Sequence, residues 1–237
     1  MKKKLKISLF MLGAIILFLI IQYEFLENDS WNAWNLPLTG KIILIDPGHG
    51  GPDGGAGDST VLEKDIALKV SLMVRDYIQQ QGALVIMTRE TDKDLAKDGT
   101  RGLSRRKTED LHKRLEMINE SEADLFISLH LNSIPSPRWR GAQTFFAPHF
   151  KENEKLAKFI QVELRRNLEN TKRVAKPINN VFILKNAKKP GALVEIGFLS
   201  NEAEKQLLQD EEYQRKVAAS IYEGIIRYFT NEKELTE

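Results

Sequence analysis

Four side chains in this 237-residue chain combine suggestive type with suggestive placement: His49, Glu63, His130 and Glu195. His49 stands alone among six glycines in the stretch Ile43–Gly57, behind a short apolar run. A glycine-rich loop after a strand suggests phosphate first. A P-loop, however, needs Gly-Lys-Ser/Thr after its glycines, and a dinucleotide loop needs Gly-x-Gly-x-x-Gly running into a helix. Here Pro52, Asp53 and Asp58 intervene, and aspartates repel phosphate. The glycines instead make a loop that bends sharply and lets backbone and ligand approach the imidazole.

His130 ends the run Asp124–His130, and Glu195 stands inside the apolar run Gly191–Gly197. Ligands of open α/β sheets gather beyond the carboxyl ends of the strands, so His49, His130 and Glu195 are expected to converge there. Glu63 opens the helix after the glycine loop, within reach of the same crevice. A carboxylate at a helix start is ordinarily a favourable first-turn charge, and a lone histidine is ordinarily a surface or satisfied residue. That bland reading is taken for His112 and His149. Glu195 resists it, because an unpaired carboxylate in an apolar strand is costly and calls for a positive neighbour. Two histidines and a glutamate around an ion supply that charge, and His2Glu is a catalytic zinc set with one position open for water. Imidazole nitrogens suit zinc better than calcium or magnesium.

The elements that must position these groups follow from hydrophobic periodicity. Strands are expected at Lys41–Asp46, Ala83–Thr88, Asp124–His130, Ala142–Ala147, Asn180–Lys185 and Ala192–Ile196. Apolar residues at 62, 66, 70, 73, 74, 77 and 78 mark one helix face, closed by Gly82. Further helices are expected around Leu111–Ile118, over Lys151–Asn170, and in two C-terminal segments from Asn201 to Tyr228, with a polar loop at Thr91–Lys107. The alternation predicts a single α/β domain: a twisted, largely parallel (mixed) sheet of about six strands with helices on both faces.

Composition narrows the classes. The chain is 42% hydrophobic and 29% charged, and its length suits one well-cored domain. The absence of cysteine excludes thiol catalysis, cysteine zinc sites and disulfides. Lys2, Lys3, Lys4 and Lys6 precede the apolar run Ile7–Ile21, the pattern of an export signal or N-terminal anchor. Fifteen residues is short of the roughly 20 a spanning helix needs. Without those lysines the balance is 31 basic against 33 acidic residues, so no nucleic-acid partner is indicated. The chain therefore divides into an export signal or membrane anchor at 1–27, a linker at 28–40 and a catalytic domain at 41–230. Trp31 and Trp34 of the linker suit either the membrane interface or cover of the domain, and cover is the expectation taken.

The motifs Asp46-Pro47-Gly48-His49-Gly50-Gly51, Glu63, Ser128-Leu129-His130-Leu131-Asn132-Ser133 and Leu193-Val194-Glu195-Ile196-Gly197-Phe198-Leu199-Ser200-Asn201 resemble those of the zinc-dependent N-acetylmuramoyl-L-alanine amidases of the type-3 amidase family. The resemblance runs from about Lys41 to Tyr228. Within the family, the short chain without a wall-binding module is similar to the germination-specific amidases that modify spore cortex. The resemblance implies one Zn2+ held by His49, Glu63 and His130, with Glu195 as the catalytic carboxylate. It implies peptidoglycan as substrate and cleavage of the amide between N-acetylmuramic acid and L-alanine, in the setting of muramic lactam formation. It also implies action outside the cytoplasmic membrane, on wall or cortex, leaving open an activating protein partner. Arg114 and Asn132 fall at positions where the family keeps such residues, and Asn186–Pro190 is expected to border the substrate. Relatives with an autoinhibitory helical insertion differ from this chain, which has no obvious counterpart. A catalytically silent wall-binding scaffold and a metal peptidase are the competing readings.

Overall fold

The structure is a computed structural model that describes residues 2–27 and 36–230. The expected linker, with Trp31 and Trp34, lies mostly outside the described residues. Two compact units divide at Leu36 and Pro37. The first contains one helix, α1 (Lys2–Glu27), whose described apolar side chains, such as Leu9, Phe10 and Phe18, are all exposed. Among the described residues no helix is long and apolar enough to cross a membrane.

The second unit carries the sheet. Its strands are β1 (Ile42–Pro47), β2 (Leu84–Met87), β3 (Leu125–Asn132), β4 (Gln143–Phe146), β5 (Lys176–Pro177) and β6 (Gly191–Phe198), in spatial order β2-β1-β3-β6-β4-β5. β1, β2, β3 and β6 run parallel, and β4 is antiparallel to β6 with β5 parallel beside it. The expected six-stranded, mostly parallel mixed sheet is therefore present. The helices are α2 (Glu63–Gln80), α3 (Leu103–Glu120), α4 (Lys151–Leu168), α5 (Phe182–Asn186), α6 (Glu202–Gln209) and α7 (Glu211–Phe229).

Period-two alternation sorts the strand residues between two cores. Ile43, Ile45, Ile127, Leu129 and Val194 face the larger one, where α2 contributes Ile66, Val70, Val74 and Ile78 and α7 contributes Val217, Ile221 and Ile225. Leu44, Phe126 and Leu193 face the smaller one, packed against Ile118 of α3 and Ile183 and Leu184 of α5. Each such buried aliphatic or aromatic side chain contributes roughly 1.5–3 kcal/mol. Side-chain caps start the last two helices: Asn201 accepts from the Glu204 amide at 3.0 Å, and Asp210 from the Tyr213 amide at 2.8 Å.

Two expectations need correction. Asn180–Lys185 is not a strand; most of it is α5, because a four-residue apolar run packs two adjacent side chains into a core without declaring a period. The loop expected over Thr91–Lys107 ends early, since α3 begins at Leu103.

Candidate active site

The smaller-core face of the sheet carries the polar groups. His130 is the sixth residue of β3 and stands in register with Glu195 of β6 as its Cα partner. Both therefore project on one face, near the carboxyl ends of parallel strands. His49 lies two residues beyond β1, with φ of 59°, a left-handed conformation that costs a non-glycine residue roughly 1–3 kcal/mol. Its neighbours fix it there. Buried Arg114 donates from Nη2 to the His49 carbonyl at 2.5 Å and from Nη1 to the Pro47 carbonyl at 2.6 Å. Buried Arg89 donates from Nη2 to the Gly48 carbonyl at 2.8 Å and from Nε to the Pro47 carbonyl at 3.1 Å. Two guanidinium groups thus grip three consecutive carbonyls.

Arg114 is balanced by Asp46 and Asp110, at 2.7 Å each. Fully buried Asp46 also accepts from Ser128 Oγ and Thr88 Oγ1, both at 2.7 Å. Burial pushes its carboxyl up, but the Arg114 guanidinium and the two hydroxyls outweigh burial and hold it below the ordinary range.

Glu63, at the first turn of α2, joins the two histidines. Its Oε1 accepts from the Leu131 amide at 2.9 Å and lies 2.9 Å from His130 Nδ1. Its Oε2 accepts from the Ala56 amide at 2.7 Å and lies 3.2 Å from His49 Nε2. The opposite ring nitrogen of His49, Nδ1, is 2.8 Å from Asp53 Oδ2, and Lys107 Nζ is 3.1 Å from that oxygen. The two imidazoles lie edge to face with centroids 5.1 Å apart. Small residues permit this crowding. A Cβ on Gly48 would stand 2.4 Å from His130 Cε1, and one on Gly55 would stand 2.5 Å from Glu63 Oε2.

The titration behaviour follows from these contacts. Burial pulls the His49 imidazole down, but Asp53 and Glu63 outweigh it and raise its pKa to about 9. Glu63 is pushed up by burial and, more strongly, held far below the carboxylate range by both histidines. Glu195 is raised to about 7, chiefly by burial; His130 and His49 pull it down and the charge on Glu63 pushes it up. Its Oε2 is buried without a hydrogen-bond partner.

The donors of His49, Glu63 and His130 all lie within 4.8 Å of one another. Two imidazole nitrogens and a carboxylate oxygen, with Asp53 holding the far nitrogen of one ring, fit a single divalent first-row cation. The four side chains singled out in the sequence are thus brought together at one end of the sheet. His112 and His149 are not part of this group: the first bonds the Thr108 carbonyl at 2.7 Å and the second the Ala187 carbonyl at 3.3 Å. Asn132 ends β3 at an irregularity in the register with Phe198. Asn186–Pro190, expected to border the substrate, leads into the last strand of the sheet. That segment enters β6 at its amino end, five residues and roughly 16 Å of extended chain before Glu195. Asp53 and Arg89 escaped the sequence reading. Asp53 stands four residues after His49, which is the available signal; Arg89 merely follows a strand, which is none.

A family model described as N-acetylmuramoyl-L-alanine amidase matches residues 43–227. The germination-specific N-acetylmuramoyl-L-alanine amidase of Bacillus subtilis (strain 168) is 60% identical over 237 residues, covering 100% of both chains. Among solved structures, the CwlD amidase from Clostridioides difficile, in complex with the GerS lipoprotein, is 41% identical with a TM-score of 0.79, covering 81% of this chain and 100% of that one. An N-acetylmuramoyl-L-alanine amidase from Clostridium difficile 630 is 27% identical with a TM-score of 0.71, covering 81% of this chain and 98% of that one.

Proposed function

We propose how this chain, which belongs to the N-acetylmuramoyl-L-alanine amidase family, carries out its reaction. It is an amide hydrolase of peptidoglycan, and the proposal concerns the roles of its side chains and its setting. The observation that carries it is the His49–Glu63–His130 group beside a buried, unpartnered carboxylate on the adjoining strand.

His49, Glu63 and His130 would hold one zinc ion. Bound zinc lowers the pKa of a coordinated water toward about 7 and polarises the scissile carbonyl. Glu195 takes the proton of the attacking water and passes it to the leaving amine of L-alanine, first as general base and then as general acid. Its buried Oε2, which has no hydrogen-bond partner, leaves that carboxylate free to take up and return a proton. Asp53 orients the His49 ring and fixes which nitrogen faces the ion. Arg89 and Arg114 hold the loop in the shape that aims that ring.

The setting we propose is spore cortex, by likeness to the germination-specific relative. Removal of the stem peptide there frees the muramic lactyl group, the condition for lactam formation. The N-terminal lysines and the run Ile7–Ile21 act as an export signal or as an N-terminal anchor. A protein partner is proposed by analogy with the CwlD–GerS complex. The test is mass spectrometry of muropeptides after treatment of purified cortex with metal-loaded protein, with and without chelator. Amidase action yields glycan lacking stem peptides and peptides beginning with free L-alanine, only without chelator. Cut stem peptides, or no change, overturn it.

A further inference from the structure

The line of polar side chains does not stop at Glu195. Gln143 of β4 is the Cα partner of Glu195 on the other side of β6, so His130, Glu195 and Gln143 stand in a row on one face. Gln143 Oε1 accepts from Arg173 Nη1 at 2.9 Å, and its Nε2 donates to the Val174 carbonyl at 3.1 Å. Arg173 also donates from Nε to the Arg140 carbonyl at 3.0 Å. Its guanidinium lies 5.2 Å from the Trp139 ring centroid and 5.0 Å from that of Phe198. Its Nη2 has no hydrogen-bond partner among the described residues. Nearby Glu204 is committed to the amides of Gly141 and Phe198.

Here the surface opens into a pocket of about 520 Å³ lined by Trp139, Arg140, Lys172 and Arg173, with Glu169 its one carboxylate. Trp139 is 51% exposed, an unusual expenditure of indole surface with no core to pack. Three cations against one anion, and a guanidinium edge with a vacant donor, match a carboxylate in a planar fork. A neutral sugar would have no use for that charge. Distances agree. Neighbouring strands are about 4.8 Å apart, which puts Gln143 one step beyond Glu195 and Arg173 one side chain further. The second residue of a stem peptide lies roughly 7 Å of extended chain from the scissile bond.

We propose that this pocket is the subsite for the stem peptide on the leaving-amine side, with Arg173 pairing the free α-carboxylate of its second residue and Trp139 covering the peptide chain. The inference rests on the amidase reading above and adds a specificity residue to it.

The test uses two soluble substrates, N-acetylmuramoyl-L-alanyl-D-glutamate and N-acetylmuramoyl-L-alanyl-D-isoglutamine, which both keep the γ-carboxyl and differ only in whether the α-carboxylate of the second residue is free or amidated. The metal-loaded full chain should show a KM about tenfold lower for the free acid, the size expected of one charge-assisted contact. Arg173→Gln should erase that preference with kcat nearly unchanged, and Trp139→Ala should raise KM for both substrates. A preference that survives Arg173→Gln, or an equal loss of kcat on both substrates, overturns the subsite. Cleavage of neither substrate by the wild-type protein reports a requirement for longer glycan and leaves the family's reaction to be read on cortex. The subsite is then decided by titrating L-alanyl-D-glutamate and its amide while following the Trp139 indole resonance. A shift with the acid alone, lost in Arg173→Gln, supports it; equal shifts, no shift, or a shift with N-acetylglucosamine instead overturns it.

Discussion

His130 and Glu195 are Cα partners across β3 and β6, so the imidazole and the buried carboxylate share one face of the sheet. This register separates the two glutamates of the site by backbone position. Glu63 arrives from a helix start and bonds two amides, whereas Glu195 rises from a central strand with an unpartnered oxygen. Their roles should therefore separate by mutation. Glu195→Ala should retain its metal by elemental analysis while kcat falls by roughly 10²–10⁴, the usual contribution of a general base. Loss of metal with partial activity would mean that ligand and base have been exchanged.

Asp53→Asn should weaken metal binding by about 10–100-fold, since it removes the carboxylate that orients His49 through Nδ1. Competition with a chromogenic chelator measures this, and saturating zinc should restore much of the activity.

The metal-free protein should lose stability in alkali. The folded pKa of His49 is raised above its ordinary value of 6.5 to about 9, so the protonated ring favours the fold. Its contribution is complete below about 6.5 and disappears as the pH rises through about 9. Glu195 acts in the same direction over a lower window: folding favours its protonated form, and that stabilisation is lost between about 4.5 and 7. Urea unfolding of chelated protein from pH 5 to pH 10 should trace both losses. Glu195→Gln should flatten the lower one and gain roughly 1–3 kcal/mol at pH 8.

Arg114→Met should destabilise the protein by about 3–5 kcal/mol, because Asp46 and Asp110 would remain buried without their cation. Denaturant midpoints test this. An exposed arginine such as Arg215, paired among the described residues with Glu211 one turn away, should move the midpoint by less than about 1 kcal/mol when replaced.

Gly48→Ala should empty the metal centre and leave the fold standing. The added methyl would occupy space 2.4 Å from the His130 ring, which must swing out of line. Loss of bound metal with near-native circular dichroism is the expected result.

The parallel heart of the sheet was legible because β1, β3 and β6 are apolar runs with both faces buried, and the helices because their apolar residues recur at helical spacing. The convergence of His49, His130 and Glu195 followed from their positions near strand ends. Other features carry no such mark. Two-residue β5, made of exposed Lys176 and Pro177, shows no alternation to read. The antiparallel direction of β4 is a property of the loop before it, not of its own four residues. Arg89 looks like a surface charge and Arg114 is marked by family resemblance alone, and only the fold reveals that each is buried against backbone carbonyls from a distant loop.

That double grip on the carbonyls of Pro47, Gly48 and His49 has a consequence for the metal centre. The curve of the loop is imposed by permanent cations belonging to the chain, so the shape that aims the His49 ring does not depend on an ion. Such a centre is built in advance of its guest, and chelation should strip an ion from it without unmaking the loop.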